Sequence, residues 1–188
     1  MPISSKVIPI PSLLLDGTIQ ASYANFGFIP YGQTIMGKIH FDELNPKACD
    51  EFSLEDKNEL DRSADITPFY IAQRGDCTFV QKVRNMENIG VAVGIVADDK
   101  TWENIDKVLM SDDGTGGGIR IPSMLISKHH GAIITEWLKN ATQAEKNQLV
   151  VMAQFILPFE DGNKVEYDLW MTSSSNRAID FIEDFKPF

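Results

Sequence analysis

The spacing of hydrophobic and polar positions changes period several times along the chain, and each change marks an element. Residues 20–41 read as extended, with alternation through Thr34-Ile-Met-Gly-Lys-Ile-His-Phe41 and turn punctuation at Gly27, Pro30 and Gly32. Residues 50–67 hold Asp50, Glu51, Glu55, Asp56, Glu59, Asp61 and Asp65 among few apolar anchors, the pattern of an acidic surface loop or short surface helix. Pro68–Gln73 is a short apolar run of strand type, and Arg74-Gly-Asp-Cys77 follows it as a turn. Thr78 then caps a helix whose stripe is Phe79, Val80, Val83, Met86 and Ile89, with Gly90 ending it. Val91–Ala97 is the unbroken apolar run of a buried strand, closing at Asp98-Asp99. Strand, helix and strand in such close succession make a βαβ unit with parallel strands and a right-handed crossover.

A polar loop runs from Lys100 to Gly118, with a short helix expected at Glu103–Leu109. Ile121–Ile126 is the next strand, where Pro122 indicates a sheet edge or a loop-like lead-in. Ser127 caps a second amphipathic helix, Lys128–Asn140, presenting Ile133, Ile134, Trp137 and Leu138. Leu149–Leu157 and Val165–Met171 supply two last strands, joined by the turn Glu160-Asp-Gly-Asn163. The sum is about seven strands with two or three helices. That is an α+β fold with a mixed sheet, because only the central unit reads as a crossover.

A length of 188 residues fits one domain and a sizeable core. Apolar residues make up 43% and charged residues 23%, the balance of a folded soluble domain rather than a disordered one. With 17 basic and 27 acidic residues the formal charge is −10, which disfavours binding to nucleic acid or to anionic lipid. The longest apolar runs, Val91–Ala97 and Leu149–Leu157, fall well short of a membrane span. Pro9 and Pro11 break the hydrophobic start of the chain, so no signal peptide is expected in it.

Cys49 and Cys77 are the two cysteines, both flanked by polar loop residues. Two free thiols and one bridge fit that count about equally. A bridge would close a loop of about 29 residues, worth roughly 3.5 kcal/mol in the chain-entropy treatment. Asn140-Ala-Thr142 is an N-glycosylation sequon, and with the cysteines it points toward an oxidising lumen.

Catalytic and metal chemistry finds little support. The histidines are His40, His129 and His130, and the adjacent pair suits a surface or capping role. No His-Glu-x-x-His, Cys-x-x-Cys or Gly-x-Ser-x-Gly occurs, so no metal site, cofactor or catalytic residue is expected. Gly114-Thr-Gly-Gly-Gly118 lacks the ending of a phosphate cradle and reads as a flexible loop. Arg74-Gly-Asp76 abuts a helix start, which argues against an adhesive role, and Asp98-Asp99 alone make a weak calcium site.

Several segments carry a resemblance. Gly37-Lys-Ile-His-Phe41, Ala48-Cys49, Phe69–Phe79 with its Arg-Gly-Asp-Cys, Lys82–Gly90, Val96–Lys100 and Ile121–Ser127 look like the protease-associated (PA) domain. Asn25-Phe-Gly-Phe-Ile-Pro-Tyr-Gly32 and Val165-Glu-Tyr-Asp-Leu-Trp170 resemble the N-terminal lumenal domain of vacuolar sorting receptors. The tail from Asp180 to Pro187 is similar to the start of that family's central region.

The resemblance implies a sheet curled toward a barrel, with the PA domain over residues 1–172 and a linker into the next region over 173–188. It further implies a Cys49–Cys77 disulfide and a non-enzymatic domain in the endomembrane lumen that binds sorting-signal peptides of cargo proteins. The membrane span would lie beyond residue 188. The peptide site carried over from the family is Arg74, Gly75, Asp76 and Cys77, with Ser111 and Asp112 from a second loop. Arg74 offers a fork of donors, Gly75 a close backbone approach, and Asp76, Asp112 and Asp113 acceptors for cationic groups. On that reading Arg74→Ala weakens peptide binding with little loss of stability. Arg74 paired to Asp76 or Asp98 is the bland alternative.

The second loop, Ser111-Asp-Asp-Gly-Thr-Gly-Gly-Gly118, departs from the acidic run common in plant receptors, which puts cargo preference in question. The rival function is an accessory PA domain of a secreted protease or of a membrane-anchored ubiquitin ligase.

Overall fold

In the computed structural model the described residues are 18–62, 66–101, 105, 108–155 and 168–173. They form seven strands and four helices: β1 Thr18–Tyr23, β2 Thr34–His40, α1 Leu54–Arg62, β3 Thr67–Gln73, α2 Phe79–Asn88 and β4 Val93–Ala97. β5 Ser123–Ile126, α3 Lys128–Asn140, α4 Gln143–Gln148, β6 Leu149–Gln154 and β7 Asp168–Ser173 complete the set. The strands close into a barrel in the order β1-β5-β4-β3-β2-β6-β7, with β7 pairing back onto β1.

The βαβ unit forms as the apolar periods require. β3 and β4 run parallel, Phe69 opposite Val93 and Gln73 opposite Ala97, with α2 crossing between them. Two further pairs, β2 with β3 and β4 with β5, are also parallel, so the sheet holds three consecutive parallel pairs rather than one. The remaining pairs are antiparallel. Pro122 does not mark an edge. It precedes β5, which is flanked by β1 and β4, and its carbonyl accepts the Gly94 N–H at 3.0 Å. The loop-like lead-in was the correct half of that expectation.

Alternation in β3, β4 and β5 divides the core. Phe69, Ile71, Val93, Ile95, Met124 and Ile126 share one cluster with Ile19 of β1, Val151 of β6 and Ile134, Trp137 and Leu138 of α3. Val96 and Leu125 alternate to the opposite face, where they meet Val80 and Val83 of α2. Tyr70 and Ala72 also lie on that face, packed with Met86, Ile89 and Leu60. The α2 stripe read from the sequence is thus the seam between helix and sheet. Thr78 caps it by accepting the Gln81 N–H, and Gly90 stands past its end with φ +99°.

Helix α1 realises the acidic stretch as a surface helix anchored by Leu60. Helix α4 was not expected. Its capping box, Thr142 with Glu145, was the available signal. β6 stops at Gln154 rather than Leu157, and β7, Asp168–Ser173, runs two residues past the expected end at Met171, with 165–167 outside the described residues. The turn at 160–163 and most of the expected helix at 103–109 lie outside the described residues. No helix among the described residues is long and apolar enough to cross a membrane.

Candidate functional site

The Arg74–Cys77 loop leaves the carboxyl end of β3 and enters α2. Cys77 is bridged to Cys49, with Cα atoms 5.7 Å apart, so the turn is tied to the segment after β2. The Cys77 N–H donates to the Gly75 carbonyl at 2.8 Å, closing a three-residue turn about Asp76. Asp76 has φ +64°, in the left-handed region that few non-glycine residues occupy. Gly75 has φ +115°, and a side-chain carbon there would meet nothing nearer than Lys47 Nζ at 3.5 Å. Backbone conformation, more than space, is what demands glycine at that position.

Two buried polar residues of α2 hold this loop and the Cys49 segment bridged to it. Lys82 is wholly buried, and its Nζ donates to the carbonyls of Gly75 and Lys47, each at 2.7 Å. The same ammonium lies 3.3 Å from both disulfide sulfurs. Burial pushes its pKa down to about 8; the Asp76 charge opposes that shift and the Lys47 charge adds to it. One turn on, Asn85 Nδ2 donates to the carbonyls of Ala48, Cys49 and Asp50 at 3.0 to 3.1 Å. Sequence reasoning missed both residues as loop supports. The signal was a Lys and an Asn three apart on the buried stripe of an amphipathic helix.

Arg74 is turned toward the strand ends. Its Nη1 donates to Asp98 Oδ1 at 3.0 Å and Oδ2 at 3.3 Å, its Nε lies 3.6 Å from Asp99, and its guanidinium stacks 5.1 Å from the Phe79 ring centre. The Asp98 side chain is wholly buried. Burial alone would raise its pKa, but the Lys100 N–H and Arg74 outweigh that and hold it below the usual carboxylate range. Arg74 therefore anchors the loop to β4, as the bland alternative had it. Asp76 instead pairs with Lys47 at 2.8 Å, and its side chain remains 69% exposed. The Lys47 hydrogen bond and charge lower the Asp76 pKa.

The second loop runs beside α2. Ser111, Asp112 and Asp113 are all exposed. Asp112 bends back on its own loop, accepting the N–H groups of Gly114 and Gly116 at 2.9 and 2.8 Å. A side-chain carbon on Gly116 would sit 2.8 Å from that carboxylate, so the glycine makes room for it. The Asp112 N–H in turn donates to Asn25 Oδ1 at 2.7 Å. Asp113 accepts from the Thr115 N–H and hydroxyl, and its pKa is lowered by Thr115 and by a hydrogen bond with Thr78.

Thr78 follows Cys77 directly, so the contact joining the two loops comes from Asp113 rather than from Asp112. Arg84 adds a hydrogen bond to the Thr115 carbonyl, and Glu87 accepts the Arg120 N–H at 2.8 Å. The Gly-rich run expected to be flexible is thus fastened at both ends to α2.

The other singled-out residues sit apart from this surface. Ser127 caps α3, and its hydroxyl lies 2.8 Å from His130 Nδ1. His40 borders a separate cavity beside α4. Asn140 is exposed at the end of α3, with its amide donating to Glu136.

Vacuolar-sorting receptor 3 of Arabidopsis thaliana is 27% identical over 187 aligned residues, covering 92% of this chain and 28% of the receptor. The chain therefore spans a little over a quarter of the length of that relative. A rice protein (Oryza sativa subsp. japonica), described as a receptor homology region, transmembrane domain- and RING domain-containing protein 1, is 37% identical over 71 residues. That match covers 38% of this chain and 13% of the rice protein. A zinc aminopeptidase from Bacillus subtilis shows a TM-score of 0.46 at 18% identity, covering 78% of this chain and 35% of the enzyme. The PA domain family matches residues 37–134, a stretch that includes both cysteines, the Arg74–Cys77 turn and the loop at 111–118. With a barrel of mixed pairing and that match over more than half its length, the chain belongs to the PA domain family.

Proposed function

We propose that the chain is a non-enzymatic, lumenal cargo-recognition module of a sorting receptor. In this reading it binds a peptide of a cargo protein across the Arg74–Cys77 turn and the neighbouring 111–113 segment. The observation that carries the proposal is Asp76. It is exposed, and its left-handed backbone conformation is imposed from below by the disulfide and the Lys82 ammonium. Strained backbone held by its surroundings is characteristic of binding surfaces.

Asp76, Ser111 and the joined Asp113 present acceptors to solvent, which suits a peptide carrying a cationic group, either an N-terminal ammonium or a Lys or Arg side chain. Arg74 serves this surface as its anchor, and Asp112 shapes the second loop. The disulfide fits an oxidising compartment, where Asn140 would be open to glycosylation. Residues beyond β7 would lead into the next receptor region and, further on, to the membrane span.

The test is selection of a displayed random peptide library on the oxidised domain, followed by calorimetry on the enriched peptides. Asp76→Asn and Asp113→Asn should each weaken binding several-fold, since asparagine tolerates the left-handed region and removes only the charge. Enriched peptides that bind both variants as tightly as the wild type would refute the site.

The similarity to the rice RING protein favours a second reading, an accessory PA domain of a membrane-anchored ubiquitin ligase. The coding sequence after residue 188 separates the two, through a RING finger in one case and further receptor modules in the other.

A further inference from the structure

Lys82 is a buried ammonium that touches no anion. Its Nζ is held by the carbonyls of Gly75 and Lys47, both neutral, and no carboxylate lies within ion-pair distance of it among the described residues. The charges that reach it are those of Asp76, from the turn, and Lys47, from the segment before Cys49. These two pair with each other at 2.8 Å, with the Asp76 side chain facing solvent. Burial draws the Lys82 pKa down to about 8, so the group is still mostly protonated at pH 7. An ammonium in this setting carries a desolvation cost that an adjacent anion would offset.

Beside the ammonium stand the two sulfurs of the bridge, Cys49 Sγ and Cys77 Sγ, each 3.3 Å away. In the disulfide both are neutral. Reduction turns a sulfur into a thiolate, and a thiolate at that distance is the anion the site lacks. Because the two distances are equal, either sulfur can leave next to the cation. Both cysteines are partly exposed, which opens the bridge to a small thiol from solvent, while Lys82 itself is sealed. A neighbouring lysine is one of the settings that lowers a cysteine pKa and makes its thiolate a better leaving group.

We propose that the Cys49–Cys77 bridge is a redox-active contact, opened by a low-molecular-weight thiol, with Lys82 as counterion to the thiolate it releases. The external thiolate attacks one Sγ, the S–S bond breaks, and the other Sγ leaves with the electron pair. A second external thiolate attacks the mixed disulfide and frees the first cysteine. Two electrons pass to the protein, and two external thiols become one disulfide. Of the two protons those thiols give up, one goes to the second cysteine and one stays in solvent. Opening leaves the turn its Lys82 hydrogen bond and removes its covalent tie to the segment after β2. Weaker peptide binding on reduction would follow, a consequence that rests on the function proposed above, whereas the sulfur chemistry stands without it.

The first experiment needs no variant: the reduced domain is alkylated with iodoacetamide across a range of pH, and the labelled cysteines are followed by mass. The faster cysteine should titrate near pH 7, against about 8.5 for an ordinary thiol. Equilibration of the oxidised domain with glutathione buffers at pH 7.5 then reads the potential of the bridge. Lys82→Met should make the bridge about fivefold harder to reduce, a shift of about 20 mV for a two-electron couple. A lysine that only supports the turn would act in the opposite direction, because its loss loosens the surroundings of the bridge. Two cysteines that both titrate at about 8.5 or above, or a bridge that Lys82→Met leaves as easily or more easily reduced, would each overturn the proposal.

Discussion

Lys82 Nζ donates to the Gly75 carbonyl at 2.7 Å from a position with no exposure to solvent. The contact couples the buried face of α2 to the outermost turn of the candidate site. A charge normally avoids such a place, and it is tolerated because two carbonyls and two sulfurs surround it. The turn's shape is therefore a property of the helix beneath it.

Lys82→Met keeps the volume and removes the donor, taking the ammonium from the Lys47 carbonyl and leaving the Gly75 carbonyl with the Cys77 N–H alone. We expect a loss of about 2 kcal/mol in urea unfolding. Faster hydrogen exchange at residues 74–78 should accompany it, while β1 stays protected. A variant as stable as the wild type, with unchanged exchange in the turn, would show that Lys82 supports nothing.

Arg74→Ala is not the mild change that the sequence suggests. It strands the buried Asp98 carboxylate, which keeps the Lys100 N–H but loses its charged partner. The expected destabilisation is about 3 kcal/mol by chemical denaturation. Arg74→Ala is thus a poor probe of ligand contact. Because the Asp98 pKa is held low in the fold, this contribution is complete above the unfolded carboxylate range. It is lost as pH falls through the lower folded value.

Acid should weaken the fold through His40. Its pKa is about 4 in the folded chain against 6.5 when unfolded, so the unfolded state binds the extra proton between those values. Stability is complete above about pH 6.5 and declines toward pH 4, by about 2 kcal/mol at pH 5. His130, lowered by burial and then by His129, acts in the same direction. Urea titrations at pH 7.5 and pH 5 check this, and His40→Gln should flatten the difference.

Opening the disulfide with Cys49→Ser and Cys77→Ser should cost about 3.5 kcal/mol, the entropy of closing the loop between them. Non-reducing mass measurement of protein secreted from cells should find no free thiol. Two free thiols in a folded product would contradict the bridge.

Much of the fold was legible because its period is local. The α2 stripe, the unbroken run Val91–Ala97 and the Ser127 cap each decided their element without help from elsewhere. Barrel closure was not legible, because β7 pairing with β1 joins the two ends of the chain. Nor were the two additional parallel pairs, since residues 41–66 and 98–122 lack the strong stripe that made α2 recognisable as a crossover. For the candidate site, motif resemblance pointed to the Arg74–Cys77 turn and to Ser111 and Asp112. It did not give the division of labour. Whether Arg74 faces ligand or Asp98, and whether Asp112 or Asp113 meets the first loop, depends on side-chain geometry between distant segments. Lys82 escaped notice because a lysine within an amphipathic helix ordinarily reads as solvent-facing.

The central claim is that the locked Arg74–Cys77 turn is a peptide-binding surface. Its most direct test is an amide NMR footprint of a library-selected peptide on the isotope-labelled, oxidised domain. The account predicts the largest shifts at Gly75, Asp76, Cys77 and residues 111–113, with the Lys38–His40 strand end unmoved. Shifts confined to other faces of the barrel, with residues 74–78 unperturbed at saturation, would contradict it.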